Sequence, residues 1–157
     1  MKFKVRVLLL FFMGGLVASG LTAFPLLHEL NALTSLMGLE HALSSDHPAG
    51  LSHWIVKVRE GLQETHGKHP FMAYGTDWLA FAHIVIAIFF IGPLIDPVRN
   101  LWVIKSGMAA CVLVIPTAMI CGAIRGIPFY WRLIDCSFGV LGFVPLWFSL
   151  QLTRKIQ

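Results

Sequence analysis

Charge is what this sequence has least of. Charged residues make up 13% of the chain, against roughly 25% in a soluble domain, so water is not the main solvent for its surface. Cysteine is scarce too. Cys111, Cys121 and Cys136 lie in or beside apolar runs at spacings of 10 and 15 residues, which excludes a C-x-x-C redox pair. They read as packing residues, since free Cys behaves as a small hydrophobe; a disulfide between Cys121 and Cys136 is the lesser alternative. The sequence has no phosphate-binding G-x-x-x-x-G-K-[ST], no G-x-G-x-x-G and no H-E-x-x-H, so the commonest nucleotide and zinc-protease signatures are absent. Its Lys and Arg sit at the ends of apolar runs. A nucleic-acid reader gathers them into a patch or stripe instead, so nucleic acid is not an expected partner.

What the chain does have is apolar sequence in long stretches, with 57% hydrophobic residues. A bilayer core is crossed by about 20 apolar residues in a helix. Four runs fit: 5–27, 78–95, 101–124 and 133–152, with Arg6 at the start of the first, His83 in the second, Lys105 in the third and Asp135 in the fourth. Pro93, Asp96 and Pro97 stop the second run, because proline cannot continue a helix. Arg125-Gly126-Ile127-Pro128 ends the third. The expected fold is an all-α integral membrane protein. It is a four-helix transmembrane bundle in one domain spanning residues 1–157, with a long, partly helical outside loop over residues 28–76.

Orientation follows from Lys and Arg near the helix ends. With the N-terminus inside, Lys2, Lys4, Arg6, Arg99, Lys105, Arg154 and Lys155 fall inside, against Lys57, Arg59, Lys68, Arg125 and Arg132 outside. The expectation is that both termini are cytoplasmic, with residues 28–76 extracytoplasmic. Short loops and positive-inside bias point to a bacterial inner membrane. The basic start followed by an apolar run also fits a cleaved secretory signal, with Ala18-Ser19-Gly20 or Ala23 as the cut. A retained helix is preferred because the run is long enough to span.

Small residues recur at helical spacing in each run: Gly14, Ala18 and Thr22; Thr76, Ala80, His83 and Ala87; Gly107, Cys111, Ala118 and Gly122; Asp135, Gly139, Gly142 and Ser149. Such stripes let helices approach closely in lipid. Pro116 and Pro145 lie mid-run, where kinks are expected. In the loop, Leu26, Leu30, Leu33 and Met37 suggest one amphipathic helix, and Leu51, Trp54, Ile55, Val58 and Leu62 another. Lys57, Arg59, Glu60 and Glu64 are assigned to the polar face of the second.

Ionisable residues within a membrane are functional candidates by default. Tyr74, Asp77, His83, Arg125, Tyr130, Arg132 and Asp135 form a candidate polar site near the outer leaflet. Several have structural explanations. Thr76 caps the second span with Asp77 in its first turn, Asp135 sits near the start of the fourth, and Arg125 closes the third, each suiting the helix dipole. Arg132 is placed at the unfavourable end for a cation and is expected to pair with Asp77 or Asp135 or to snorkel outward. His83 should face the bundle interior, as a hydrogen-bonded core residue, a proton relay or a ligand. The loop holds His28, His41, His47, His53, His66 and His69. Imidazole suits transition metals, but the spacing matches no closed tetrahedral motif. Titration of these six would carry the loop from a charge of −2 to near +4 around pH 6.5.

Three functions compete. The first is a non-catalytic accessory or binding subunit of a larger membrane complex or homo-oligomer, suited by the lack of a catalytic constellation. The second is a membrane redox or metal protein holding haem, quinone or a transition metal near His83 and the loop histidines. The third is a small transporter using the outer polar site.

Overall fold

The computed structural model describes residues 2–46 and 49–156. The described chain is helical: α1 (Lys2–Ala23), α2 (Leu26–Leu36), α3 (Leu51–Lys68), α4 (Tyr74–Phe89), α5 (Ile91–Ile95), α6 (Leu101–Ile124) and α7 (Phe129–Arg154), with 3-10 turns at Ser44–Asp46 and Pro70–Ala73. No strand occurs among the described residues. Four helical segments there are long and apolar enough to cross a membrane: Lys2–Ala23, Pro70–Ile95, Leu101–Ile124 and Phe129–Arg154. At 1.5 Å per residue their 22 to 26 residues reach about 33–39 Å, more than the roughly 30 Å of a hydrocarbon core.

The chain divides into two compact units, Met1–Val17 with Val85–Gln157, and Ala18–Ile84. The first holds most of α1, α5, α6 and α7. Its core is Val5, Leu9, Phe90, Ile104, Cys111, Leu146 and Leu150. The pairing of α6 with α7 is the most extensive in the chain, and glycine explains it. A methyl placed on Gly139 would lie 2.5 Å from the Cys111 carbonyl oxygen, and one on Gly142 would lie 2.9 Å from the Cys111 sulfur. On Gly107 it would meet Phe90 at 2.6 Å and Leu146 at 2.9 Å. The stripes through α6 and α7 therefore do the packing expected of them. Cys111, Cys121 and Cys136 are free thiols, and Cys111 is buried at the closest point of the α6 and α7 crossing. Pro116 and Pro145 lie inside continuous helices.

The stripe in α1 is different. Gly14 has nothing within 4 Å of an added methyl, and Ala18 and Thr22 are exposed. Close approach falls to Gly20, whose Cβ would lie 2.9 Å from the Ala80 carbonyl oxygen and 3.2 Å from the His83 Cβ and from Ile84. In a helix that is apolar all round, small residues mark no face. The buried positions Val5 and Leu9 do.

Two helix ends are set by glycine in the left-handed region. Gly38 has φ 69° and Gly126 φ 70°. At each, the glycine N–H and the next N–H bond back into the last turn: Gly38 to Ser35 O and Leu39 to Thr34 O, Gly126 to Ala123 O and Ile127 to Gly122 O. This double bond pattern satisfies carbonyls that a helix end leaves orphaned, and it turns the chain sharply.

These contacts separate two glycines in the same thermal-unfolding measurement. Gly139→Ala should destabilise the protein by about 1–3 kcal/mol, because the helix backbone must move to admit a methyl. Gly14→Ala should be neutral or stabilising by up to about 1 kcal/mol, since it gains helix propensity at no steric cost.

Candidate functional site

The second unit is organised by α3. Ile55 and Val56 are buried apolar positions on it, and Arg59, one turn beyond Ile55, is buried to 5% exposure. Its guanidinium donates from Nη1 to the carbonyl oxygens of Leu39 at 3.0 Å and Glu40 at 2.9 Å, and from Nη2 to that of Ala42 at 2.7 Å. The neighbouring carboxylate of Glu60 accepts from the Ser44 amide at 2.9 Å and the Ser44 hydroxyl at 2.6 Å. From about two turns earlier, His53 Nδ1–H donates to the Ser44 carbonyl at 2.9 Å. His53, Arg59 and Glu60 of α3 thus hold residues 39–44, which leave α2 at the Gly38 turn. Nearer the helix starts and ends, Gln63 donates to Asn31 at 3.3 Å, so α2 and α3 form an antiparallel hairpin. The Glu60 carboxyl is held below its ordinary value, first by the Ser44 hydroxyl, then by the Ser44 amide, then by Arg59.

Placing Arg59 with Lys57, Glu60 and Glu64 on a polar face is corrected by this geometry. Lys57 and Glu64 are exposed, and Glu64 pairs with Lys68 at 2.6 Å. Arg59 belongs to the buried stripe because it supplies donors to the carbonyls leaving α2, of which Leu39 O also accepts from the Ala42 amide at 3.2 Å.

The held segment presents apolar side chains outward. Leu36 is 87% exposed, Leu43 56% and Leu51 48%, and Leu33 and Met37 are exposed beside them. All five fall within 19 residues of sequence, on α2, the held segment and the start of α3. Glu40 and Asp46 flank them.

The residues of the expected polar site are split between the units. Tyr74, Asp77 and His83 lie in the second, Arg125, Tyr130, Arg132 and Asp135 in the first. His83 Nδ1–H donates to the Leu79 carbonyl of its own helix at 2.7 Å, on the face that meets Gly20. Tyr74 is exposed and stacks edge-on against Trp78. Asp77 is half-buried. The helix around them begins earlier than hydropathy indicates, continuing directly from the 3-10 turn at Pro70. Thr76 is therefore inside a helical turn, with its hydroxyl donating to the Ala73 carbonyl at 2.6 Å, and does not act as a cap.

In the first unit Arg125 closes α6, as expected, and is exposed. Arg132 lays its stem across Gly122, where an added methyl would meet Arg132 Cδ at 2.6 Å. It donates from Nη1 to the Met119 carbonyl at 3.2 Å and stands 5.4 Å over the Phe129 ring. No ion pair joins it to Asp135 among the described residues. Tyr130 is partly exposed. Because α7 starts at Phe129, Asp135 lies beyond its first turn, where the helix dipole no longer supports a negative charge strongly.

Of the loop histidines, His28 is exposed, His41 lies 3.7 Å from Glu40 and fully in solvent, and His66 bonds the Leu62 carbonyl at 2.9 Å. His69 packs edge-on against Phe71; His47 lies outside the described residues. No group of three or more His, Cys, Asp or Glu side chains able to hold a metal ion occurs among the described residues. A cavity of about 60 Å³ at the hairpin base is lined by Leu27, Leu62, Thr65, His66, Met72 and Thr76 among others, with room for about two waters.

Replacing Arg59 by Met should destabilise the second unit by about 3 kcal/mol or more, because three carbonyls lose a charged donor. Hydrogen exchange at the amides of Leu39, Leu43 and Ser44 should rise while that of α6 and α7 stays unchanged. Arg59→Lys should not rescue it, since an ammonium cannot reproduce the planar fork. Glu60 has a depressed folded pKa, so its contribution is complete above the ordinary value of 4.5 and is lost as pH falls below it. Thermal stability measured from pH 7 to pH 3.5 should drop at the acid end in the native chain, and the drop should shrink in Glu60→Gln.

Comparison with protein-family models, with curated proteins and with solved structures finds no match to this chain.

Proposed function

We propose that this chain is a non-catalytic accessory subunit of a membrane protein complex and docks its partner through the α2 and α3 hairpin. On this reading the four long helices form a bundle in a bacterial inner membrane, with both termini cytoplasmic and the hairpin outside. The single observation that carries it is the buried Arg59, whose two terminal guanidinium nitrogens donate to three carbonyls of one loop backbone. Fixing a surface loop has little value for the core, but it lowers the ordering cost of binding. The fixed loop exposes Leu43, and the helix ends beside it expose Leu36 and Leu51, side chains of the kind that fill a partner's pocket.

A protein partner fits this surface better than the surface of the protein's own bilayer. The hairpin base adjoins Pro25 and Pro70, where the chain enters the spanning helices. From there α2 runs 11 residues and α3 18, about 16 and 27 Å. The apolar tip carries Glu40 and Asp46 beside it, and anionic headgroups repel such a rim while a basic protein rim would complement it.

The test is a photoreactive residue at position 36 or 43 in the full chain within its native membrane. Both positions should crosslink to one defined membrane protein, and Leu36→Asp should weaken that complex by about 30-fold, as for an interface hot spot. Adducts confined to lipid, or a complex untouched by Leu36→Asp, would overturn the reading.

A further inference from the structure

The first unit has a feature that the docking hairpin leaves unused. The start of α1 and the end of α7 leave a surface groove of about 390 Å³ between them, lined by Phe3, Lys4, Val7, Leu8, Phe148 and Leu152. Its wall is apolar throughout, so Lys4 contributes its aliphatic stem and keeps its ammonium out of the wall, as snorkelling lysines do. The groove lies beside the buried contacts of Val5 and Leu9 with Leu146 and Leu150.

The end of the unit where this groove opens is strongly basic. Lys2, Lys4 and Arg6 begin α1, Arg154 and Lys155 end α7, and Arg99 and Lys105 flank the start of α6. Arg6 Nε donates to the Leu94 carbonyl at 3.2 Å, which ties these chain ends to one level. All seven are exposed, and none is in an ion pair among the described residues. The acid at this level, Asp96, already accepts from the Arg99 amide at 3.1 Å.

We infer that this groove is a binding site for one anionic phospholipid, with an acyl chain along the wall and the phosphate at Lys4 and its basic neighbours. The inference rests on the membrane reading above but not on the docking hairpin. Basic pockets between spanning helices select anionic headgroups in this way. A second copy of the chain is a poorer occupant. Two copies share one membrane orientation, so the cationic end of one would stand against that of the other, and like charges across an interface are costly.

The full chain is reconstituted in bilayers of equal phosphatidylglycerol and phosphatidylcholine, then released into mild detergent for native mass spectrometry. One phosphatidylglycerol should be retained in preference to phosphatidylcholine. Lys4→Gln should cut that preference about fivefold, the effect of one basic residue near an anionic surface. Arg125→Gln, at the opposite end of α6 from Lys105, should leave it nearly intact. Leu8→Trp should fill the groove and lower retention of both lipids with no change of charge, in a protein whose helicity is checked by circular dichroism. Equal retention of the two lipids, an equal loss in Arg125→Gln, or a dimer in place of the lipid adduct overturns the site. Alkaline carbonate extraction keeps the two readings apart. A chain that washes out of the membrane loses both; a chain that stays and retains no phosphatidylglycerol loses only the lipid site.

Discussion

Three carbonyl oxygens, those of Leu39, Glu40 and Ala42, converge on one guanidinium. The segment that carries them has almost no regular structure beyond a single 3-10 turn at Ser44–Asp46, and its own backbone supplies only isolated turn bonds such as Ala42 N–H to Leu39 O at 3.2 Å. Arg59 supplies what a strand or helix neighbour would otherwise supply. The arrangement is costly to break in either direction. Removing the donor orphans the carbonyls, and removing the loop orphans a buried charge. Glu60 and His53 then determine where Ser44 sits, and through it the approach of the chain to α3. Leu36 and Leu43, on either side of the clamped carbonyls, owe their fixed outward presentation to contacts made by their neighbours' backbone.

The first unit is held by a different kind of constraint. Around Gly107, Gly139 and Gly142 the missing side chains leave only enough space for the facing backbone, a thiol and aromatic rings. Dispersion between closely packed helices is the main attraction available where the surrounding solvent is itself apolar. Large apolar side chains such as Leu10, Phe11, Leu113, Phe138 and Leu141 are correspondingly exposed, which would be a liability in water and is the expected surface in lipid. The interior of this unit and its exterior are both apolar; close fit, not polarity, distinguishes them.

The lengths of the apolar runs made the four long helices legible, because the period and the length of a span are set by the bilayer itself. The starts of α4 and α7 were less so. Hydropathy stops at the interface, whereas a helix stops where its hydrogen bonds do. Pro70 to Thr76 and Phe129 to Arg132 are aromatic and polar but helix-compatible, so α4 and α7 start earlier than the runs and Asp135 falls past the first turn. Small residues located the packing face of α6 and α7, where larger polar and aromatic residues break the background. In α1 they pointed to Gly14 instead of Gly20. Arg59 was misplaced for a related reason. Charge was weighed above position, although Ile55, Arg59 and Leu62 share one stripe at helical spacing. A charged residue inside an apolar stripe is the signal that would have found it.

Charge is divided between the two units as sharply as packing is. Met1–Val17 with Val85–Gln157 carries nine Lys and Arg against Asp96 and Asp135, whereas Ala18–Ile84 carries three against six acids. Neither total follows from stability, since exposed ion pairs contribute little and most of these charges have no partner. On the proposed topology the division has a use. A cationic end favours the anionic leaflet and resists translocation, and an acidic hairpin is repelled from headgroups of the same sign. One electrostatic asymmetry would then both orient the helices and keep the apolar tip of the hairpin off the bilayer, available to a protein.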